Sequence, residues 1–215
     1  MKKTLFSAAL LAGITFSSCS AKTTENTEAT ADNTEMQHNG MDMQQETMET
    51  EAMPTSVVVE TPDYTAVAEP VKAQVAALLD AYLKLKDALV ASDAAAAKTA
   101  ANKVFSVAGA IPVASLQDEQ KAFAEEKTAQ IKESAEKIAA ASDVDAQRAS
   151  LEPLSEATFA LTKAFDATGQ KLYYQRCPMA NNNEGGYWLS VNQEIRNPYF
   201  GEQMLKCGST EEVLN

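Results

Sequence analysis

Two short segments near the end of the chain each set a thiol beside a thioether. Cys177-Pro178-Met179 follows the aromatic run Tyr173-Tyr174-Gln175-Arg176, and Met204-Leu205-Lys206-Cys207 closes a stretch that begins Asn197-Pro198-Tyr199-Phe200-Gly201. Residues two apart in an extended segment project from one face, which predicts that Cys177 and Met179 point the same way. Residues three apart on a helical turn share a face, which predicts the same for Met204 and Cys207. Brought together, the four side chains offer either a Cys177–Cys207 disulfide with two methionines packed beside it, or a soft-metal site. Thiolates and thioethers select Cu(I) and, by the same softness, Ag(I).

Methionine usage bears on that choice. Of eight methionines, five lie between Met36 and Met53, and none lies between Met53 and Met179, the stretch that must supply most of the core. Methionine ordinarily fills gaps in cores, and this chain does not use it so. Met36, His38, Met41, Met43, Met48 and Met53 form a second, weaker set of candidate soft-metal ligands. Thioethers bind without losing a proton and are not consumed by disulfides, which suits a site outside the cytoplasm. The alternative is a low-complexity linker that happens to be rich in methionine.

The N-terminal region reads as an export signal: Lys2 and Lys3, an apolar run from Leu5 to Phe16, then Ser17-Ser18-Cys19. The run is too short to span a membrane. Small residues leading into a cysteine resemble a bacterial lipoprotein cleavage site, with Cys19 as the lipidated first residue of the mature chain; Phe16 stands where such sites usually carry leucine. Lipidation also accounts for an odd cysteine count, leaving two thiols to pair or to bind metal. The expected location is the periplasm-facing or outer surface of a Gram-negative-type envelope, with the lipid as the sole membrane attachment. Export places Cys177 and Cys207 in an oxidising compartment, where a disulfide is permitted.

Charge narrows the partners. Removing residues 1–18 takes away two lysines and no acid, so the net charge falls from −12 to −14. Such a chain is unsuited to nucleic acid and to anionic lipid surfaces. From Ser20 to Asp63 it carries ten acids against the single base Lys22, and no aromatic residue. This composition predicts a disordered tether of about 40 Å reach.

Helical spacing begins after Tyr64. Val71, Val75, Leu78, Leu79, Tyr82, Leu85 and Leu89 mark a first helix over Val67 to Ala91. Ser92 or Asp93 caps a second to Ala108, carrying Ala97, Ala101, Val104 and Phe105 inward. Ser115 with Asp118 and Glu119 opens a third, and Asp143 caps a fourth that runs to Gly169, with Pro153 kinking it or shifting its start. The prediction is a mainly α fold: an antiparallel four-helix bundle over residues 64–170, with its charged faces as solvated surface. Residues 171–215 form a small aromatic, Cys-containing cap on that bundle. They hold six of the twelve aromatic residues of the mature chain. Within the cap, Leu172 to Arg176 and Tyr187 to Val191 are candidate strands of a short β-hairpin, with a turn at Asn181-Asn182-Asn183.

The runs Leu172-Tyr173-Tyr174-Gln175-Arg176-Cys177-Pro178-Met179-Ala180, Tyr187-Trp188-Leu189-Ser190, Ile195-Arg196-Asn197-Pro198-Tyr199-Phe200-Gly201 and Met204-Leu205-Lys206-Cys207-Gly208 together resemble an uncharacterised bacterial family. Its members are exported proteins or are fused to the C-terminus of Cus-type copper/silver efflux adaptors. Tyr82-Leu83-Lys84-Leu85-Lys86-Asp87-Ala88-Leu89 and Asp145-Ala146-Gln147-Arg148 extend the similarity into the helices. The resemblance implies a role in periplasmic copper or silver handling, with a heavy-metal efflux adaptor or another periplasmic metal-handling protein as partner. Some members carry histidines in the last two helices, near the positions of Glu136, Ala149 or Ser150. Here no histidine follows His38; if those histidines are ligands, this chain lacks part of the site and a sulfur-only site is what remains.

Three functions compete. Cys177, Met179, Met204 and Cys207 bind a soft monovalent metal, with the methionine tail as collector; or Cys177 and Cys207 form a disulfide in a structural or interaction domain of an efflux complex; or the protein is an enzyme. The last is the weakest, because the sequence shows no nucleophile–base pair, phosphate loop or spaced carboxylate motif.

Overall fold

The computed structural model describes residues 59–215. The expected signal segment, the Cys19 lipidation site and the candidate ligands Met36, His38, Met41, Met43, Met48 and Met53 lie outside the described residues. The chain is mainly helical with a small C-terminal antiparallel sheet. Its helices are α1 (Glu69–Val90), α2 (Ala94–Ala108), α3 (Asp118–Ala140), α4 (Val144–Arg148) and α5 (Leu151–Ala164), followed by strands β1 (Leu172–Cys177), β2 (Gly186–Ser190) and β3 (Ser209–Leu214).

The first four helices start where a local device deals with their free amides. Pro70 sits at the start of α1, where a missing N–H is harmless. Asp93 accepts from the amides of Ala95 and Ala96 at the head of α2, and Asp143 accepts from Ala146 at the head of α4. Helix α3 begins later than Ser115 suggested. Val113–Ser115 is a 3-10 turn, and the side chain of Gln120 reaches back to the Gln117 amide. The expected fourth helix is two helices, interrupted at Ala149 and Ser150. Pro153 has no amide hydrogen to continue α4, and it falls in the first turn of α5, where none is needed.

Helix α1 packs on α2, α2 on α3, α3 on α5, and α5 returns to α1. Val71, Val75, Leu78, Leu85, Leu89, Ile131, Ile138, Leu154 and Leu161 are sealed from water between them. Phe105, expected inside, is 38% exposed. Ala97, Ala101, Val104 and Ala108 already define the inward stripe of α2, and Phe105 lies one position off it, under the Lys132 ammonium 5.0 Å from its ring centre. The charged faces are not all surface either: Lys86 and Arg148 are buried.

The sheet has the order β2-β1-β3. Tyr173 faces Ser190, Tyr174 faces Leu189, Gln175 faces Trp188, and Cys177 faces Gly186 across the β1–β2 hairpin. Directly opposed residues share a face, so Tyr174, Arg176, Tyr187 and Leu189 lie on one side and Gln175, Cys177 and Trp188 on the other. The first side meets α5. Tyr174 stacks on Phe159 at 4.1 Å and on Tyr187 at 4.8 Å between ring centres. The outer edge of β2 is closed by α1: Leu189 N–H donates to the Tyr82 hydroxyl, which in turn meets Ser155 Oγ at 2.7 Å.

Candidate functional site

Strand β1 ends at Cys177, and Cys177 Sγ lies 3.1 Å from Cys207 Sγ. That is about 1 Å longer than a disulfide bond and close enough for a thiol–thiol hydrogen bond. Cys177 is fully buried and Cys207 is half-buried. The segment 191–208 lies over the sheet face away from α5, held there by the Gln175 side-chain amide: Gln175 Nε2 donates to the carbonyls of Asn192 and Gln193. Trp188 on the same face is buried and meets Tyr199 edge-on at 6.2 Å between centres.

Two residues that sequence reasoning passed over hold Cys207 in place. Asn197 is fully buried, and both its backbone and its side chain are engaged. Its Nδ2 donates to the Cys207 carbonyl, its Oδ1 accepts from Tyr199 N–H, its N–H donates to Leu205 O, and its own carbonyl accepts from Gly201 N–H. Arg148 anchors the next residue to the helices. Its Nε donates to Pro198 O, Nη1 to Asp145 Oδ1, and Nη2 to both Leu89 O and Ser92 Oγ. The Asn-Pro pair is a turn signal, and it was the available clue to Asn197. Arg148 had no local signal, since its partners are 50 or more residues away for three of its four bonds.

Glycine is required on both flanks of the thiol pair. A Cβ on Gly186, opposite Cys177, would lie 2.5 Å from the Tyr199 ring and 2.9 Å from Ala180 Cβ. Gly208, next to Cys207, has φ +143°, and a Cβ there would lie 2.7 Å from Arg176 O and 2.8 Å from the Trp188 ring.

The thioethers are placed differently from each other. Cys207 N–H donates to Met204 O at 3.0 Å, closing the three-residue turn expected between them. Met179 departs from expectation. Extended backbone stops at Cys177, and Met179 has φ −91° and ψ −9°. It is 47% exposed and lines a cleft of about 400 Å³ with Asp145, Arg148, Asn181, Asn182 and Phe200. Neither cysteine lines that cleft. The turn after Met179 is left-handed, with φ of 50°, 58° and 72° at Asn181, Asn182 and Asn183. Asparagine tolerates that conformation better than other side-chain-bearing residues. Asn181 Nδ2 fixes it by donating to Gly185 O and to Glu152 Oε2.

The contact with Cys177 raises the pKa of Cys207 above its ordinary value of 9.0, and burial adds to the effect. Held in this way, the Cys207 thiol gives up its proton less readily than a free thiol. Among the described residues no group of three or more His, Cys, Asp and Glu side chains is arranged to hold a metal ion. Among the same residues no helix is long and apolar enough to cross a membrane.

Residues 78–170 match the model of a family described as a protein of unknown function (DUF3347). The chain thus contains a domain of unknown function, and the match ends before β1 and both cysteines. No curated protein and no solved structure gives a significant match.

Proposed function

We propose that the protein is an exported, lipid-anchored accessory of copper or silver handling whose centre is the Cys177–Cys207 pair. It binds a soft monovalent metal and is not an enzyme. The observation that carries this reading is the 3.1 Å approach of the two thiols, drawn from segments 30 residues apart. Two thiolates at one point match Cu(I) and Ag(I) better than any other donor set among the described residues. Met204, one turn before Cys207, is the thioether available to join them. Met179 would add a ligand only by leaving its cleft. The tail methionines and His38 act as weak collectors. The four long helices serve as an antiparallel bundle that holds the sheet, and a heavy-metal efflux adaptor or other periplasmic metal-handling protein is the partner. No nucleic acid is involved.

Metal uptake must displace the thiol protons, so affinity rises with pH until Cys207 is ionised. Titration of the thiol-reduced protein with Cu(I), Ag(I) and Zn(II) side by side is the test. About one Cu(I) per folded domain is expected, and Cys177→Ser should abolish it. Unchanged uptake in that variant would remove the pair from consideration.

A second reading rests on the same contact and on the complete burial of Cys177: the pair is a disulfide, and the domain is a structural or interaction part of an efflux complex. Air-exposed protein would then yield a Cys177–Cys207 linked peptide by mass spectrometry without reduction. Free thiols throughout would count against it.

A further inference from the structure

We infer that the pair exchanges electrons with external thiols and disulfides through Cys207 alone, with Cys177 acting as the resolving thiol behind it. The two sulfurs touch, yet their surroundings differ. Cys177 is sealed: it ends β1, faces Gly186 across the hairpin, and lies on the sheet face covered by the 191–208 segment. The tight approach of Tyr199 and Ala180 to Gly186 leaves no opening on that flank. On the other flank, the packing of Trp188 against Gly208 closes the way. Cys207 sits at the end of the Met204 turn and keeps part of its surface in water.

An incoming disulfide can therefore be reached only by Cys207. Its thiolate attacks one sulfur of the external disulfide, and the other sulfur departs as a thiolate and takes up a proton. The product is a mixed disulfide on Cys207. Cys177, already 3.1 Å away, loses its proton and attacks Cys207 Sγ, expelling the second external thiolate. Two electrons and two protons leave the pair, and the external disulfide becomes two thiols. In reverse, an external thiolate attacks Cys207 Sγ and Cys177 is the leaving group.

This rests on the pair being the functional centre, but it is read without metal and stands or falls separately from metal binding. The full-length chain is reduced, freed of reductant, and exposed to oxidised glutathione or to iodoacetamide. Peptide mapping then separates Cys19, Cys177 and Cys207. Native protein should be modified at Cys207 about tenfold or more faster than at Cys177, with the two rates converging in denaturant. Comparable rates in the folded protein would overturn the assignment. Cys177→Ala should retain glutathione on Cys207, whereas the parent should pass the adduct on to a Cys177–Cys207 disulfide. A parent adduct as persistent as the variant's would refute the resolving role. Unchanged Trp188 emission in Cys177→Ala and Cys207→Ala shows that each variant keeps its fold.

Discussion

Arg148 meets four acceptors with three nitrogens: two backbone carbonyls, one carboxylate and one hydroxyl. Its side chain is almost out of water, while its carboxylate partner Asp145 is exposed. The stabilisation thus comes less from the ion pair than from the carbonyls: removal of the guanidinium would take from Pro198 O its side-chain donor and leave Leu89 O with only backbone donors at the end of α1. Arg148→Ala should destabilise the protein by about 3 kcal/mol in urea unfolding. Lysine carries the charge without the fork, so Arg148→Lys should recover less than half of that loss; a lysine variant as stable as the parent would show that fork geometry is not what matters. The thiol pair gives a pH prediction at the same scale. Because the folded state raises the pKa of Cys207, its contribution to the reduced protein is complete below the ordinary thiol pKa. It is lost as pH rises above 9 through the raised value. Burial also raises Tyr82, Tyr174 and Tyr199 above the ordinary tyrosine value, so all four groups lose stability in the same direction. The Cys207 share is isolated by comparison: the stability of Cys207→Ser should fall less steeply between pH 9 and 11. Parallel curves would mean that the pair is not protonated as the contact implies. At this scale the sequence revealed which residues were chemically capable, and the two cysteines did converge. It marked Asn197 only as half of an Asn-Pro turn, and it gave Arg148 no local signal, because three of its four bonds reach partners 50 or more residues away.

The helices were legible because a stripe repeating every three or four residues has one physical meaning in a soluble chain, and Asp93 and Asp143 cap where capping residues stand. The β1–β2 hairpin was legible for a similar reason, since two aromatic runs flank a turn-prone stretch. β3 was not. Ser209-Thr210-Glu211-Glu212-Val213-Leu214 lacks clean alternation, and its pairing with β1 carries a register shift between Tyr174 and Gln175. It is a strand because β1 offers it an edge and because Lys163 receives Glu212, both of which are tertiary facts. The backbone at Met179 departs from the extended pattern for a related reason. Extended spacing predicts one face through Pro178, whereas the chain turns there and enters three left-handed asparagines. The entry into β3 supplies the prediction. Gly208→Ala places a methyl group against the Arg176 carbonyl and the Trp188 ring at a φ that side chains rarely adopt. The backbone at 207–209 must shift, and Cys207 with it. Oxidation of the reduced pair by glutathione disulfide should slow markedly in this variant, while α1 to α5 keep their far-ultraviolet helical signal. Closure at the parental rate would show that Cys207 position does not depend on that turn.

The described part of the chain joins a helical body to a sheet through a small number of deep contacts: the Phe159–Tyr174–Tyr187 stack, the Tyr82 bridge to Leu189, and Arg148 with Pro198. Alanine-rich α2 contributes little side-chain volume to the core, so cross-linking should matter more here than in a thick-cored domain. Joining Cys177 to Cys207 encloses β2, the asparagine turn and the Asn197 clamp in one loop. In the chain-entropy account a loop of about 30 residues contributes roughly 3–4 kcal/mol by restricting the unfolded chain. For a folded part of this size that corresponds to a rise of about 10 °C in Tm between reduced and oxidised protein. The native state should change little, because the sulfurs need to move only about 1 Å to bond. Trp188, the single tryptophan of the chain, lies on the same sheet face as Cys177 and reports that comparison by its emission. An oxidised form that melts no higher than the reduced one, despite a mapped Cys177–Cys207 link, would mean that closing the bond strains the Asn197 clamp as much as it restricts the unfolded chain.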